Sequence, residues 1–260
     1  MNKIRLDHLL VNKQLVPTRS QAESYIRLGQ VKVDGKIIKK PGYFVREDSE
    51  IQFGAKEQYV SRAALKLASV ANILNLDFKN KVVLDVGSST GGFTDYALQH
   101  GAKEVIAIDV GTNQLHPKLR EDSRVELHEK TDIRDVFLRK TEGRDMSYEV
   151  GEGAQKVFLD TSPELILIDV SFISMRMILP HISSLISHNS QVVAMLKPQF
   201  EASRSQLNKG IVKNSKYRRD ILHGFEGWCL ENGFVILKKS DSAVAGEKGN
   251  VERFYLLKKL

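Results

Sequence analysis

Four charged residues stand where chemistry could be done. Lys66 lies in RAALKLASVANIL, where Leu65, Leu67, Val70, Ile73 and Leu74 recur with helical spacing. Asp169 and Lys197 close two apolar runs, LILIDV and QVVAMLK, that read as buried strands, and Glu252 opens the last strand-like run. A hydroxyl is a very weak acid. A lysine serves as its base only when the neutral amine is favoured, and a second cation nearby favours it by like-charge repulsion. Lys66 beside Lys197 would do this. Asp169 would orient one ammonium, and Glu252 the other or the hydroxyl itself. Taken singly each is weak, since a lysine at a strand end is more often a solvated terminus than a catalyst; the reading depends on their convergence in one crevice.

A strand, a tight turn and a helix must bring them there. VVLDVGSSTGGFTD, residues 82–95, runs from apolar residues into Asp85 and then into Gly87, Gly91 and Gly92, with Phe93 opening a helix. This is the first βα unit of a doubly wound, mostly parallel α/β domain. Ligands of such sheets bind outside the carboxyl ends of the strands. A second strand, EVIAID, ends at Asp109, 22 residues after Gly87. An acid at about that distance accepts hydrogen bonds from a ribose diol. A dinucleotide site would place a glycine where Ser89 stands. The bulkier turn favours an adenosine cofactor without a pyrophosphate, S-adenosylmethionine, over a nicotinamide or flavin. Its contacts are expected from Gly87, Ser88, Ser89, Gly91, Gly92 and Phe93, with Asp109 on the ribose and Asp132 near the adenine.

The chain has 260 residues, a net charge of +7, and one cysteine, Cys229, so it can form no internal disulfide. A reducing, cytoplasmic setting is expected. The seven histidines are scattered, and no metal site is expected. No apolar run reaches the length of a membrane span, which disfavours a membrane-inserted pore. The charge is uneven: residues 1–41 hold nine Lys/Arg and three Asp/Glu, a net of +6. Such a concentration reads as a polyanion-binding module.

Within that module, Ile4, Leu6, Leu9, Leu10 and Val11 fit one helix face. Thr18, three before Gln21, opens a second helix that stops at Gly29. Val31 and Val33 alternate around Lys32, and Asp34-Gly35 marks a hairpin. Val45, Ile51 and Phe53 would close a small sheet. The expected organisation is a small basic, polyanion-binding domain at 1–55, a linker at 56–59 and an α/β domain at 60–260. Residues 139–164 show no clear period and read as an unusually long loop.

RLDHLLV followed by TRSQAESYIRLGQVKVDGK resembles the small RNA-binding domain first described in ribosomal protein S-four, with Arg19-Ser20 in inverted order and Asp34 for the usual Asn. The resemblance implies a grip on folded RNA through phosphates, with Arg5, Arg19 and Lys32 at matching positions. From Val60 onward the chain resembles the FtsJ-like ribose methyltransferases, whose Lys-Asp-Lys-Glu tetrad is matched by Lys66, Asp169, Lys197 and Glu252. Both domains in this order, with DVGSSTGGFTD, DVSFIS and KPQFE, are similar to the TlyA family of rRNA 2′-O-methyltransferases, which also carries the name haemolysin. The resemblance implies methylation of a cytidine ribose in ribosomal RNA. Two departures stand out. The family's Arg-Gly-Gly-Leu-Lys is here Arg62-Ala63-Ala64-Leu65-Lys66, and the 139–164 connection is longer. Two other functions fit parts of the pattern: a non-catalytic RNA-binding or ribosome-assembly protein on the same fold, and a cytolysin.

Overall fold

The structure, a computed structural model, describes residues 3–54, 59–139, 156–246 and 249–260. The chain opens with β1 (Lys3–Arg5), α1 (Leu6–Asn12) and α2 (Arg19–Arg27). It continues through β2 (Val31–Val33), β3 (Lys36–Ile37), β4 (Phe44–Arg46) and β5 (Ile51–Phe53). Thr18 caps α2 by accepting from the Gln21 amide at 3.2 Å. Asp34 and Gly35 both take positive φ in the turn between β2 and β3. Ile4 and Val45, expected in a helix and in the single small sheet, instead face each other across a separate antiparallel pair, β1 with β4. The three-stranded sheet is β3-β2-β5.

In the first turn of α1, Asp7 is fully buried and faces the start of α2. Arg5 holds it through two bonds, Nε to Oδ1 at 3.0 Å and Nη2 to Oδ2 at 2.7 Å, and Arg19 Nε adds a third at 3.0 Å. Burial alone would raise the Asp7 carboxyl; the bonds from Arg5 and Arg19 outweigh it and hold the group at about 2. Its folded value thus lies below its unfolded one. The stabilisation is complete above the unfolded value near 4 and is lost as pH falls through about 2. Asp7→Asn is expected to lose about 2 kcal/mol at neutral pH. It should lose much less at pH 2, which denaturant melts at the two pH values will show.

Beyond residue 59 come α3 (Arg62–Leu74), β6 (Val82–Val86), α4 (Gly92–Gln99), β7 (Glu104–Ile108), α5 (Pro117–Arg120) and β8 (Val125–His128). Then follow β9 (Val136–Leu138), β10 (Val157–Leu159), β11 (Leu165–Ile168), α6 (Met175–Leu185), β12 (Gln191–Leu196) and α7 (Pro198–Glu201). The chain closes with α8 (Ser215–Glu231), β13 (Phe234–Asp241) and β14 (Arg253–Lys259). The large sheet runs β13-β14-β12-β11-β6-β7-β8; β14 and β13 are antiparallel and the rest parallel. Alternate residues of each parallel strand face opposite layers. Val83, Val105, Leu167 and Val193 pack with α3 and α4, while Leu84, Ile106, Ile168 and Ala194 pack with α6 and α8. Burial on both faces explains why these strands read as unbroken apolar runs.

The chain leaves β6 toward β7 on one side and returns to β11 on the other, so the sheet reverses its order there. Such a reversal opens a crevice at the strands' carboxyl ends. Gly87, Asp109, Asp169 and Lys197 each directly follow one of these ends.

The long loop expected at 139–164 is shorter than that. Val157–Leu159 pairs in parallel with Val136–Leu138, the same tripeptide, Val-Phe-Leu, in register. Three residues are too few to show a period, which is why the strand was not legible. Residues 140–155 of that loop, 56–58 of the expected linker and residue 55 before it lie outside the described residues. On the linker's far side, Tyr59 O accepts from Gln21 Nε2 at 3.2 Å and the Val60 amide donates to Asp95 Oδ2 at 2.8 Å. The segment is therefore tied to α2 and α4. Glu252, expected within the last strand, sits one residue before β14.

Candidate active site

The turn after β6 is shaped by what it must approach. Gly87 has φ +83, and a Cβ there would lie 2.6 Å from the Asp169 carbonyl oxygen, so a side chain is excluded. Asp109 fastens the turn: its Oδ2 accepts from the Ser89 amide and its Oδ1 from the Gly111 amide, both at 2.7 Å. These residues open on a cavity of about 430 Å³ lined also by Val110, Asp132 and Ile133. Asp132 is gripped by Arg134, which holds its carboxyl below the ordinary range.

A smaller cavity of about 150 Å³ continues past the turn, lined by Asp85, Ser88, Phe93, Asp169, Ser171 and Lys197. Asp85 is fully buried. Its Oδ2 accepts from Thr94 Oγ1 at 2.6 Å, while Oδ1 and the nearby Ser88 Oγ have no hydrogen-bond partner among the described residues. Burial pushes the Asp85 carboxyl up to about 7; the Thr94 bond opposes the rise and the charge of Asp169 adds to it.

Gly91 and Gly92, expected from the sequence as cofactor contacts, are not among the residues lining these cavities. A Cβ on Gly91 would lie 2.3 Å from Leu119 Cδ1, and one on Gly92 2.7 Å from Ala63 Cβ. Their place is in the close packing of α4 against α5 and α3. Ala63, where the resembled family has glycine, fills the space that Gly92 leaves.

A third cavity, of about 540 Å³, holds the tetrad's other side: Lys66, Lys197, Glu252, Phe172, Phe200 and Asn250 among its lining. All four predicted residues therefore meet at one edge of the sheet. Each ammonium faces its own carboxylate. Lys66 Nζ lies 2.9 Å from Glu252 Oε1, with side chains 12% and 3% exposed. Lys197 Nζ lies 2.7 Å from Asp169 Oδ1, at 11% and 17%. Lys197 also donates to Ser171 Oγ at 2.7 Å. The arrangement is two ion pairs: Asp169 holds one ammonium, and Glu252, for which the sequence left the other ammonium or the substrate hydroxyl open, holds the second.

Three residues of this site were missed in the sequence. Asp85 carried a signal, a carboxylate inside an apolar strand. Ser171 and Phe172 carried only their place after Asp169. Phe172 has φ +66, a left-handed backbone that is unusual for a bulky residue. The residue is 92% exposed, and its ring lies 5.2 Å from that of Phe200.

The expected RNA-binding residues lie elsewhere, on the N-terminal elements. Arg5 and Arg19 are committed to Asp7 yet remain 38% and 54% exposed, and Lys32 is exposed on β2. Their first task is structural, which the sequence did not reveal. Among the described residues, no group of three or more His, Cys, Asp or Glu side chains is placed to hold a metal ion. No described helix is long and apolar enough to cross a membrane.

Comparison with known proteins agrees with this layout. Residues 59–259 match the FtsJ-like methyltransferase family and residues 4–51 match the S4 domain. The 23S rRNA (cytidine-2′-O)-methyltransferase TlyA of Campylobacter jejuni is 34% identical over 94% of this chain and 96% of its own. Hemolysin A of Brachyspira hyodysenteriae is 35% identical over 96% of this chain and 97% of its own. A solved structure of a hemolysin-named protein from Streptococcus thermophilus covers all of this chain and 89% of that one, at 37% identity and a TM-score of 0.67. The chain thus belongs to the FtsJ-like methyltransferases and, within them, to the TlyA family, with an S4 domain ahead of the methyltransferase fold.

Proposed function

We propose that the chain transfers a methyl group from S-adenosylmethionine to a ribose 2′-hydroxyl of ribosomal RNA, a cytidine as in the TlyA relative. In this reading residues 1–55 dock folded RNA, residues 56–59 connect, and residues 60–260 carry the reaction. The observation that carries it is the two largely shielded ion pairs, Lys66–Glu252 and Lys197–Asp169, at the edge where the glycine turn ends.

The residues present fit the cofactor. Asp85 Oδ1 and Ser88 Oγ, buried and without partners, would receive the ammonium of its methionine. Asp109 retains acceptor capacity for a ribose diol beyond the two amides it holds, since a carboxylate offers about four lone-pair sites. Gly87 allows the backbone to approach, and Asp132 borders the adenine end. When bound, the cofactor supplies a methyl already activated on a sulfonium, so the protein's work is alignment and electrostatics. Lys197, after releasing its own proton to solvent, takes the hydroxyl proton on the neutral Nζ amine, held in position by Asp169 and Ser171. Lys66, fixed by Glu252, keeps positive charge beside the developing alkoxide. The exposed Phe172 ring offers a stacking face for the base, as aromatics do for unstacked RNA bases. On the N-terminal side Lys32, Lys36, Lys39 and Lys40, with the outer edges of Arg5 and Arg19, supply phosphate contacts.

The direct test is incubation of the purified chain with ribosomal RNA and methyl-labelled S-adenosylmethionine, then digestion and mass identification of the nucleosides. Label on a 2′-O-methylcytidine is the expected result; label on a base, or no transfer, would overturn the proposal. Asp109→Ala is expected to weaken cofactor binding by about 1.5–3 kcal/mol, the scale of a hydrogen bond to a charged group. Calorimetry showing full affinity in that variant would remove Asp109 from the site.

A further inference from the structure

We infer that Glu201 is a positioning residue for methyl transfer, acting through the loop that presents Phe172. This rests on the methyltransferase reading above. The loop between β11 and α6 carries Asp169, Ser171 and Phe172, all of which line the cavities. A backbone at φ +66 under a bulky, exposed ring does not hold itself, because that conformation is unfavourable for a side chain with a Cβ. Something must fix the loop at both ends.

The segment Lys197–Glu201 does so, residue against residue. Lys197 grips the loop's start through Asp169 and Ser171. Phe200 lies against the Phe172 ring in the middle. Glu201 closes the end: Oε2 accepts from Ser174 Oγ and Oε1 from the Met175 amide, both at 2.7 Å. The Glu201 side chain is 3% exposed, and Arg176 Nε, 3.7 Å away, partly balances its charge. Met175 begins α6, so the carboxylate also sits at the positive end of an eleven-residue helix. A buried carboxylate placed this way has few alternative positions. Its four-residue separation from Lys197, across the short α7, ties the loop's geometry to the strand that bears the proposed base.

A group that only aids folding would lower the melting temperature and leave the rate per folded molecule unchanged. A positioning group does the reverse, since small misplacements at a reacting centre cost up to about 100-fold. The experiment compares wild type, Glu201→Ala, Glu201→Gln and Ser174→Ala in single-turnover transfer to ribosomal RNA, with both substrates saturating. Thermal melts and cofactor affinities are measured alongside. Glu201→Ala is expected to slow transfer by roughly 10- to 100-fold at near-normal cofactor affinity. Glu201→Gln should recover most of the rate, because its amide can still accept from Met175 and pair with Ser174. In the Phe172→Ala background, Glu201→Ala should cost far less than it does alone, since both would act through one ring.

Unchanged turnover in both Glu201→Ala and Ser174→Ala, or fully additive losses with Phe172→Ala, would overturn the assignment. If Glu201→Ala does not fold, Glu201→Gln and Ser174→Ala decide it: normal rates in both overturn it, and a slowed Ser174→Ala supports it. Absence of transfer by wild type would instead overturn the methyltransferase reading, and this assignment with it.

Discussion

Lys197→Ala should abolish measurable methyl transfer while binding of cofactor and RNA stays close to normal. A general base contributes on the order of 10²–10⁴-fold, and Lys197 is the lysine that borders both the cofactor-side cavity and the large outer one. Its Nζ sits between Asp169 Oδ1 and Ser171 Oγ, each at 2.7 Å, so it is held rather than mobile. The variant that separates its two possible contributions is Lys197→Arg. Arginine keeps the positive charge and cannot be deprotonated in a protein. If Lys197 acts only through its charge, Lys197→Arg should retain much of the rate. As a base, it should fall nearly as far as Lys197→Ala. Asp169→Ala should also be severe, and the double variant little worse than either alone, because residues that act as a unit do not add. Single-turnover transfer of labelled methyl at saturating RNA is the measurement. A Lys197→Ala protein with near wild-type rate would place the base elsewhere.

The sequence carried the sheet well. Strands buried on both faces are continuous apolar runs, and each run stopped at the residue that mattered: Gly87, Asp109, Asp169 or Lys197. Convergence of Asp169 and Lys197 was legible because the ends of neighbouring parallel strands must lie together; Lys66, on α3, and Glu252, before the antiparallel β14, join them through packing. The pairing within the tetrad was not legible. Lys66 and Glu252 lie 186 residues apart, and which carboxylate faces which ammonium depends on how α3 and the turn before β14 pack. The packing roles of the glycines were hidden for a related reason. Gly87 is small because of Asp169, whereas Gly91 and Gly92 are small because of Leu119 and Ala63, and spacing alone cannot tell a ligand from a neighbouring helix. Arg5 and Arg19, expected to meet phosphates, also hold Asp7 between them, a second role the sequence did not show. Nothing in a linear pattern marks that aspartate as buried. Glu201, four residues past a residue already singled out, was hidden because its partners lie on another element.

Removing Glu252 should damage stability and activity together, and a second substitution should separate them. Its side chain is 3% exposed, with Oε1 on Lys66 at 2.9 Å and Oε2 without a hydrogen-bond partner among the described residues. Room for it is provided by Gly246, where a Cβ would lie 2.4 Å from Oε1. Glu252→Ala leaves the Lys66 ammonium, only 12% exposed, without its carboxylate. Breaking one side of a buried pair typically costs about 3–5 kcal/mol. Lys66 borders an open cavity, so the lower end, about 3 kcal/mol, is expected. Replacing both partners by apolar residues of similar size is often neutral, because no charge is then stranded. Lys66→Met with Glu252→Leu should therefore melt within about 1 kcal/mol of wild type and still be unable to transfer methyl groups. Thermal melts and single-turnover assays on the three proteins give both answers. A double variant as unstable as Glu252→Ala would show that the carboxylate's shape, not its charge, holds the turn before β14. Normal turnover in the stable double variant would remove Lys66 and Glu252 from the reaction and leave Lys197 and Asp169 to carry it.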